Sequence, residues 1–141
     1  VLSNGADEVF AKKNQYCGTC AGIAFQIKDD LFDYLSKNII GKPVGIDIKE
    51  QKMTLPLIYT LNSAKEIDRK YFFNIIKKHN NNQSKVKELI EFVKKSGGLD
   101  YAIGVMKDYQ QKAKNILAEF PDSEAKHSLN LMLDYVIERK F

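Results

Sequence analysis

The sequence contains no tryptophan, only two cysteines and three prolines, and no long apolar run. Spanning a bilayer takes about 20 consecutive apolar residues, and no segment of the chain approaches that length. The start, VLSNGADEVF, has neither an initiator methionine nor the basic, apolar and small-residue regions of a signal peptide. We therefore expect a cytoplasmic protein without a transmembrane segment. The missing methionine fits a chain that begins partway through a longer protein.

The charge pattern does not favour nucleic acid as the main partner. The net charge is +4 at pH 7, but the lysines are interleaved with acids in stretches such as SKVKELIEFVKK, which is typical of a solvated helix face. Arginine is scarce, and basic residues do not alternate with aromatic ones. The sequence therefore lacks the basic stripe that marks a nucleic-acid interface.

The two cysteines, Cys17 and Cys20, lie in the sequence CGTC. A thioredoxin-like dithiol would follow a buried strand, whereas the preceding ADEVFAKKNQY has a helical pattern. A structural zinc site would need two more soft ligands, and His79 and His127 are far apart in the sequence. We interpret the cysteines as small core residues on one helix face, with redox or metal chemistry as the alternative.

The first 36 residues of the chain predict one long helix. Ser3 and Asn4 suit its N-cap, and the helix can run to about Ser36. Its apolar residues recur at i, i+4, i+7 and i+11, which predicts a single buried stripe. The stripe consists of Cys20, Ala24, Ile27 and Leu31.

Helical periodicity also dominates the rest of the chain. A loop is predicted at about 37–53, after which Thr54 can cap the next helix, with Pro56 tolerated in its first turn. No segment is convincing as a strand, so the fold class is predicted to be all-α. Further helices are predicted at about 63–79, 84–95, 99–119 and 123–139.

Three carboxylates crowd the end of the first predicted helix, in the segment FQIKDDLFDY. At 100° per residue, the acids fall on one face together with Gln26. In a partly buried cleft with an effective dielectric near 20, neighbouring carboxylates repel by about 3 kcal/mol per pair. Such a cluster is tolerated when water or a cation surrounds it. The segment is therefore either a solvated acidic helix end or a Mg²⁺ site, with the acids Asp29, Asp30 and Asp33.

The loop that follows, IIGKPVGIDIKEQK, carries Lys42 and Lys52 near flexible glycines. Lysine suits phosphate as a compact point charge, although a single lysine is more often a plain surface residue. Because these two lysines follow an acidic helix face, the combination favours a clamp in which the acids hold a metal and the lysines hold a diphosphate.

Three sequence blocks resemble one enzyme family, the trans-polyprenyl diphosphate synthases, especially the octaprenyl-type enzymes of bacteria. The blocks are GIAFQIKDDLFD at 22–33, GKPVGID at 41–47 and KMTLPLI at 52–58. They look like the family's second aspartate-rich motif followed by its lysine loop. The resemblance implies an all-α helical bundle around a central cavity. Residues 1–141 would then be the C-terminal part of a single α-helical domain.

The resemblance also implies a reaction, the Mg²⁺-dependent condensation of isopentenyl diphosphate with an allylic diphosphate. Enzymes of the family are usually dimeric, so a homodimer is expected. The site residues implied are Asp29, Asp30 and Lys42 for catalysis, Asp29, Asp30 and Asp33 for the metal, and Phe25, Gln26, Lys42 and Lys52 for the substrates.

The sequence departs from the family pattern in what it lacks. The family's first aspartate-rich motif, the arginine after it and a Lys-Thr pair are absent, and in the family they precede the position of Val1. The resemblance therefore predicts the C-terminal half of the enzyme, inactive alone. Two alternatives stay open, a non-catalytic partner or regulatory subunit of such an enzyme and a redox helix built on CGTC.

Overall fold

The computed structural model describes residues 8–35 and 45–138, and these residues form seven α-helices and no strand. The predicted all-α fold class is confirmed. The helices are α1 (Glu8–Leu35), α2 (Ile46–Lys49), α3 (Leu55–Ser63), α4 (Glu66–Lys78), α5 (Gln83–Lys95), α6 (Gly98–Leu117) and α7 (Glu124–Glu138).

The contacts divide the chain into two compact units, and α1 and α6 each contribute residues to both. The first unit combines residues 8–28 with residues 104–138. Its core packs small side chains of α1 and α6 against α7, and two aromatic rings, Phe10 and Phe120, lie 5.8 Å apart beside it. The buried cluster consists of Cys20, Ala113, Leu117 and Leu133, flanked by Cys17, Ala21, Tyr109 and Phe120.

The second unit contains residues 29–35 and 45–103. Helices α3, α4 and α5 pack against one another, and the rings of Phe72 and Phe92 stack with their centroids 4.2 Å apart. The end of α3 is held by Arg69, whose guanidinium donates to the carbonyl oxygens of Leu61, Asn62 and Ala64. The largest fully buried side chains of this unit include Leu31, Tyr34, Ile48, Leu57, Ile75, Ile76 and Leu89.

The structure corrects the predicted bounds between residues 45 and 66. The helix predicted from residue 63 begins instead at Glu66, because Ala64 and Lys65 adopt extended backbone with ψ of 155° and 152°. The loop predicted at about 37–53 contains the short helix α2 in its described part. The predicted caps Ser3 and Asn4 lie outside the described residues.

Thr54 takes the N-cap position of α3 in extended backbone, as predicted, but its side chain makes no capping hydrogen bond. Its hydroxyl oxygen lies 2.9 Å from that of Tyr34 instead. The cap therefore comes from backbone geometry and from Pro56 in the first helical turn.

None of the helices in the described ranges combines the length and apolarity needed to cross a membrane.

Candidate metal and diphosphate site

The three acids predicted to bind a metal lie on the last two turns of α1. Leu31 and Tyr34 on the same turns are 0% and 1% exposed, so this end of the helix is fixed in the core of the second unit. Asp29, Asp30 and Asp33 are each half-buried. Burial of the intervening residues therefore holds the carboxylates at the edge of the core.

Asp33 contacts the backbone of α2 through its side chain. Its Oδ1 accepts a hydrogen bond from the N–H of Ile46 at 2.9 Å, and its Oδ2 accepts one from the N–H of Asp47 at 3.2 Å. Burial raises the pKa of the Asp33 carboxyl, the charge of Asp47 raises it further, and the backbone hydrogen bonds act in the opposite direction. The net pKa lies above the ordinary value of 3.8.

The turn into α2 depends on Gly45, which has a φ of 87°. A Cβ at this position would lie 2.8 Å from Cγ1 of Val86, so both the left-handed backbone and the available space favour glycine. The N–H of Gly45 donates to the carbonyl oxygen of Asp33 at 3.3 Å. The glycine in the block GKPVGID therefore brings the chain back to the end of α1.

Lys52, a predicted diphosphate ligand, is paired with two carboxylates. Its Nζ lies 3.0 Å from Oε2 of Glu50 and 3.7 Å from Oδ1 of Asp47. The hydrogen bond to Glu50 and the charge of that carboxylate raise the pKa of Lys52, and Asp47 adds to the effect. The ammonium is therefore a permanent cation on an exposed loop, 61% exposed at its side chain.

The other end of α2 is held by two hydrogen bonds to the segment at the end of α4. Asn80 Nδ2 donates to the carbonyl oxygen of Lys49 at 2.7 Å, and Gln51 Nε2 donates to that of Lys77 at 3.4 Å. Gln51 has a φ of 60°, an unfavourable value for a residue with a side chain. Together with the Asp33 contacts at the start of α2, these hydrogen bonds hold both ends of α2, next to Lys52.

Among residues 8–35 and 45–138, no group of three or more His, Cys, Asp or Glu side chains is arranged so that it could hold a metal ion. Mg²⁺ is usually held by one or two carboxylates, with water and substrate phosphate completing its shell. The carboxylate pair Asp29 and Asp30 fits that requirement in chemistry and in number. The proposed role of Asp33 as a third ligand stays a prediction, and in this structure its oxygens accept backbone hydrogen bonds.

Two of the remaining predicted site residues lie in the described part of the chain, and one does not. Phe25 and Gln26 lie on α1 within the first unit and are exposed, Phe25 at 44%. Lys42 lies outside the described residues. The structure therefore brings Asp33 against the segment that leads to Lys52, and the roles assigned to all the predicted site residues stay predictions.

Sequence reasoning missed Asp47 and Glu50 as neighbours of Lys52. The sequence signal for this pairing was the presence of two acids, Asp47 and Glu50, within five residues of Lys52. It also missed Lys28, which is 3% exposed and donates to the carbonyl oxygen of Ile137 at 2.8 Å. The helix dipole favours a cation at the end of α7. Lys28 and Ile137 are 109 positions apart, so the sequence did not reveal this contact.

The cysteines lie in the core of the first unit, as interpreted from the sequence. Cys20 is fully buried, and the Sγ of Cys17 donates to the carbonyl oxygen of Ala113 at 3.4 Å. Burial, and then the neighbouring charge of Cys20, raises the pKa of the Cys17 thiol above 9.0. A reactive dithiol needs a lowered pKa, so this environment does not favour redox chemistry.

The family model described as polyprenyl synthetase matches residues 1–93 of the chain. A short chain isoprenyl diphosphate synthase from Methanothermobacter thermautotrophicus is 36% identical over 141 residues, which are 99% of this chain and 42% of that protein. Two of the solved structures that match this chain in fold and sequence are a geranylgeranyl pyrophosphate synthase and a polyprenyl synthase. Geranylgeranyl pyrophosphate synthase from Bacteroides thetaiotaomicron has a TM-score of 0.85 and 37% identity, covering 95% of this chain and 44% of that one.

The second structure is a polyprenyl synthase from Caulobacter crescentus in complex with calcium and isoprenyl diphosphate. Its TM-score is 0.83 at 29% identity, covering 98% of this chain and 42% of that one. The chain thus spans less than half the length of each of these three relatives.

Proposed function

Because this chain belongs to the polyprenyl synthetase family, we propose that it forms the part of a prenyltransferase that holds Mg²⁺ and an allylic diphosphate. The observation that carries the proposal is the pair Asp29 and Asp30 on a helix end whose buried residues, such as Leu31, fix it in a core. The complex of the Caulobacter relative with a divalent cation and an isoprenyl diphosphate supports the same ligand chemistry.

The carboxylates of Asp29 and Asp30 would hold the metal through hard oxygen atoms, the ligand type that Mg²⁺ prefers. A bound Mg²⁺ would supply positive charge next to the departing diphosphate. Fixing the carboxylates on a rigid helix limits the reorganisation needed when that charge develops. The sequence also predicts Asp33 as a third ligand, but both of its carboxylate oxygens accept backbone hydrogen bonds from α2.

The lysines would bind diphosphate oxygens beside the metal. Lys52 is a cation under all physiological conditions, since Glu50 and Asp47 raise its pKa. Its partner Glu50 is exposed at 53% of its side chain, so Lys52 can exchange this ion pair for a phosphate at small cost. Lys42 would act in the same way. Phe25 and Gln26 would line the surface on which the two substrates meet.

The complete proposed reaction joins isopentenyl diphosphate to an allylic diphosphate and lengthens a trans-polyprenyl chain. We further propose that the 141 residues alone are inactive and that they are the C-terminal part of one α-helical domain. A homodimer and a cytoplasmic location belong to the same set of expectations.

Calorimetric titration of the full-length product of the gene tests the proposal. An allylic diphosphate is titrated with and without Mg²⁺ into the unmodified protein and into the Asp29→Ala variant. We expect Mg²⁺-dependent binding that weakens at least tenfold in the variant, because one of two metal-binding carboxylates is lost. Glu66→Ala removes an exposed acid from α4 and is the matched control. Equal binding by Asp29→Ala and Glu66→Ala would refute the proposed site.

A further inference from the structure

The side chain of Asp33 supplies the cap of a helix to which it does not belong. Helix α2 has only four residues, and its N-cap residue, Gly45, has no side chain to accept a hydrogen bond. Asp33 accepts instead from the backbone N–H groups of Ile46 and Asp47, one with each carboxylate oxygen. Together with the Gly45 bond to the Asp33 carbonyl, three consecutive N–H groups donate to one residue.

A helix this short is not stable by itself, since nucleation of the first turn is unfavourable. Its internal hydrogen bonds run from Lys49 to Gly45 at 3.0 Å and from Glu50 to Ile46 at 2.9 Å. Its buried contact is the side chain of Ile48, which is 0% exposed. The Asp33 carboxylate therefore fixes the first turn on which the other bonds depend.

The position of Lys52 follows from that of α2. The backbone N–H of Lys52 donates to the carbonyl oxygen of Asp47 at 2.8 Å, and its Nζ lies 3.7 Å from Oδ1 of the same residue. Asp47 is the residue whose own N–H donates to Asp33. A continuous path of hydrogen bonds thus links the end of α1 to the lysine.

We infer that Asp33 is a positioning residue, which fixes the turn at residues 45–47 and through it Lys52, and that it is not a Mg²⁺ ligand. Both carboxylate oxygens are directed at backbone N–H groups that have no other acceptor in their own short helix. Asp33 thus has a different role from Asp29 and Asp30, which are proposed to bind the metal. The consequence for diphosphate binding rests on the proposed function, whereas the cap itself does not.

Hydrogen exchange of the full-length protein without metal or substrate tests the cap directly. We expect the amides of Ile46 and Asp47 to exchange about fivefold faster in Asp33→Asn and faster still in Asp33→Ala. The asparagine keeps one acceptor oxygen and the alanine keeps none, so the exchange rate should increase from the unmodified protein to Asp33→Asn and then to Asp33→Ala. Asp68→Asn removes a half-buried acid on α4 and should leave both amides unchanged. Unchanged exchange in Asp33→Ala would overturn the inference.

Calorimetry separates positioning from metal binding. In Asp33→Asn we expect the Mg²⁺ concentration for half-maximal diphosphate binding to stay within about twofold, while the diphosphate affinity falls about fivefold. In Asp29→Asn the Mg²⁺ requirement itself should rise tenfold or more. A tenfold rise in Asp33→Asn with unchanged exchange would establish a metal ligand and overturn the inference. Faster exchange in a protein that binds no diphosphate would support the cap and refute the proposed function.

Discussion

The hydroxyl groups of Tyr34 and Thr54 lie 2.9 Å apart in the core of the second unit, where the two residues are 1% and 5% exposed. This hydrogen bond joins the end of α1 to the start of α3 immediately beside the candidate site. Burial is the main cause of the raised pKa of Tyr34, so the phenol is protonated at all physiological pH values and can donate the bond.

Tyr34→Phe should lower the free energy of unfolding by about 1–3 kcal/mol, because the Thr54 hydroxyl would be left buried without its partner. Urea denaturation followed by circular dichroism measures the change. Tyr135→Phe removes a hydroxyl from a residue that is 62% exposed and should change the stability by less than about 0.5 kcal/mol. A Tyr34→Phe value as small as that of the control would contradict a stabilising role for the buried bond.

Two glycines of α6 should respond to alanine with opposite signs. A Cβ at Gly98 would overlap with Oγ1 of Thr60 and lie 2.7 Å from the backbone oxygen of Pro56, whereas a Cβ at Gly104 meets nothing within 4 Å. Gly98→Ala should destabilise the protein by about 1–3 kcal/mol through overpacking. Gly104→Ala should stabilise it by about 0.5–1 kcal/mol, since alanine is the better helix former.

Thermal unfolding of the two glycine variants is the direct measurement. Because both residues lie on one helix and undergo the same chemical change, each serves as the control of the other. A stabilised Gly98→Ala variant would show that α3 and α6 do not approach as closely as described.

Arg69→Lys should weaken the connection between α3 and α4. The guanidinium donates to three carbonyl oxygens, with Nε to Leu61 at 2.9 Å and Nη2 to Asn62 and Ala64 at 3.3 Å. An ammonium keeps the charge but cannot reproduce this fork. We expect a loss of about 1–2 kcal/mol in the free energy of unfolding, from two of the bonds.

Lys70→Arg is the control for the arginine variant, since the Lys70 side chain is 77% exposed and forms an ion pair with Glu66 on the same helix. Denaturant titration of both variants should separate them by at least about 1 kcal/mol. Equal stability would mean that the charge at residue 69, and not the planar guanidinium, holds the end of α3.

Cys17 should be a slow nucleophile in the folded protein. Its pKa is raised by burial and by the neighbouring Cys20, so the thiolate fraction at pH 8 is below that of an ordinary cysteine. Alkylation with iodoacetamide should therefore be slower in buffer than in denaturant, and slower still at the fully buried Cys20. Fast alkylation of either thiol in the folded protein would support the alternative of a redox helix built on CGTC.

The same shift predicts a pH dependence of stability. Because the folded pKa lies above the ordinary value of 9.0, the unfolded chain loses the Cys17 proton first as the pH rises. The contribution of Cys17 to stability is thus fully present below pH 9 and decreases above it. Cys17→Ser should flatten this part of the stability curve, and an unchanged slope would contradict the pKa shift.

Periodicity predicted the buried side of the long helices well. All four residues of the stripe from Cys20 to Leu31 are buried, at 6% exposure or less. On α7 the apolar residues Leu129, Met132, Leu133 and Val136 also recur at i, i+3, i+4 and i+7. Of these, Leu133 and Val136 are buried, whereas Leu129 and Met132 are 41% and 51% exposed. An apolar spacing identifies a face, but it does not say how much of that face the neighbouring helices cover.

Two features that the sequence could not predict depend on a partner distant in sequence or on the conformation of a turn. Helix α2 is capped by Asp33, which lies 13 positions away from Ile46, and no local rule for N-caps finds such an acceptor. The pairing of Lys52 with Glu50 was likewise hidden, because the turn at Gln51 brings the two together only in the folded loop. By contrast, the grouping of Asp29, Asp30 and Asp33 could be predicted, because it depends only on their spacing along one helix.

The division of the chain into units has a consequence for the order of folding. The described residues of the second unit, 29–35 and 45–103, are close in sequence, whereas the first unit joins residues 8–28 to residues 104–138. Closing so long an intervening segment costs entropy before any contact forms, and non-local contacts slow folding. We expect the second unit, which carries Asp29, Asp30, Asp33 and Lys52, to fold during synthesis. The beginning of α1 can pack only after α7 has been synthesised.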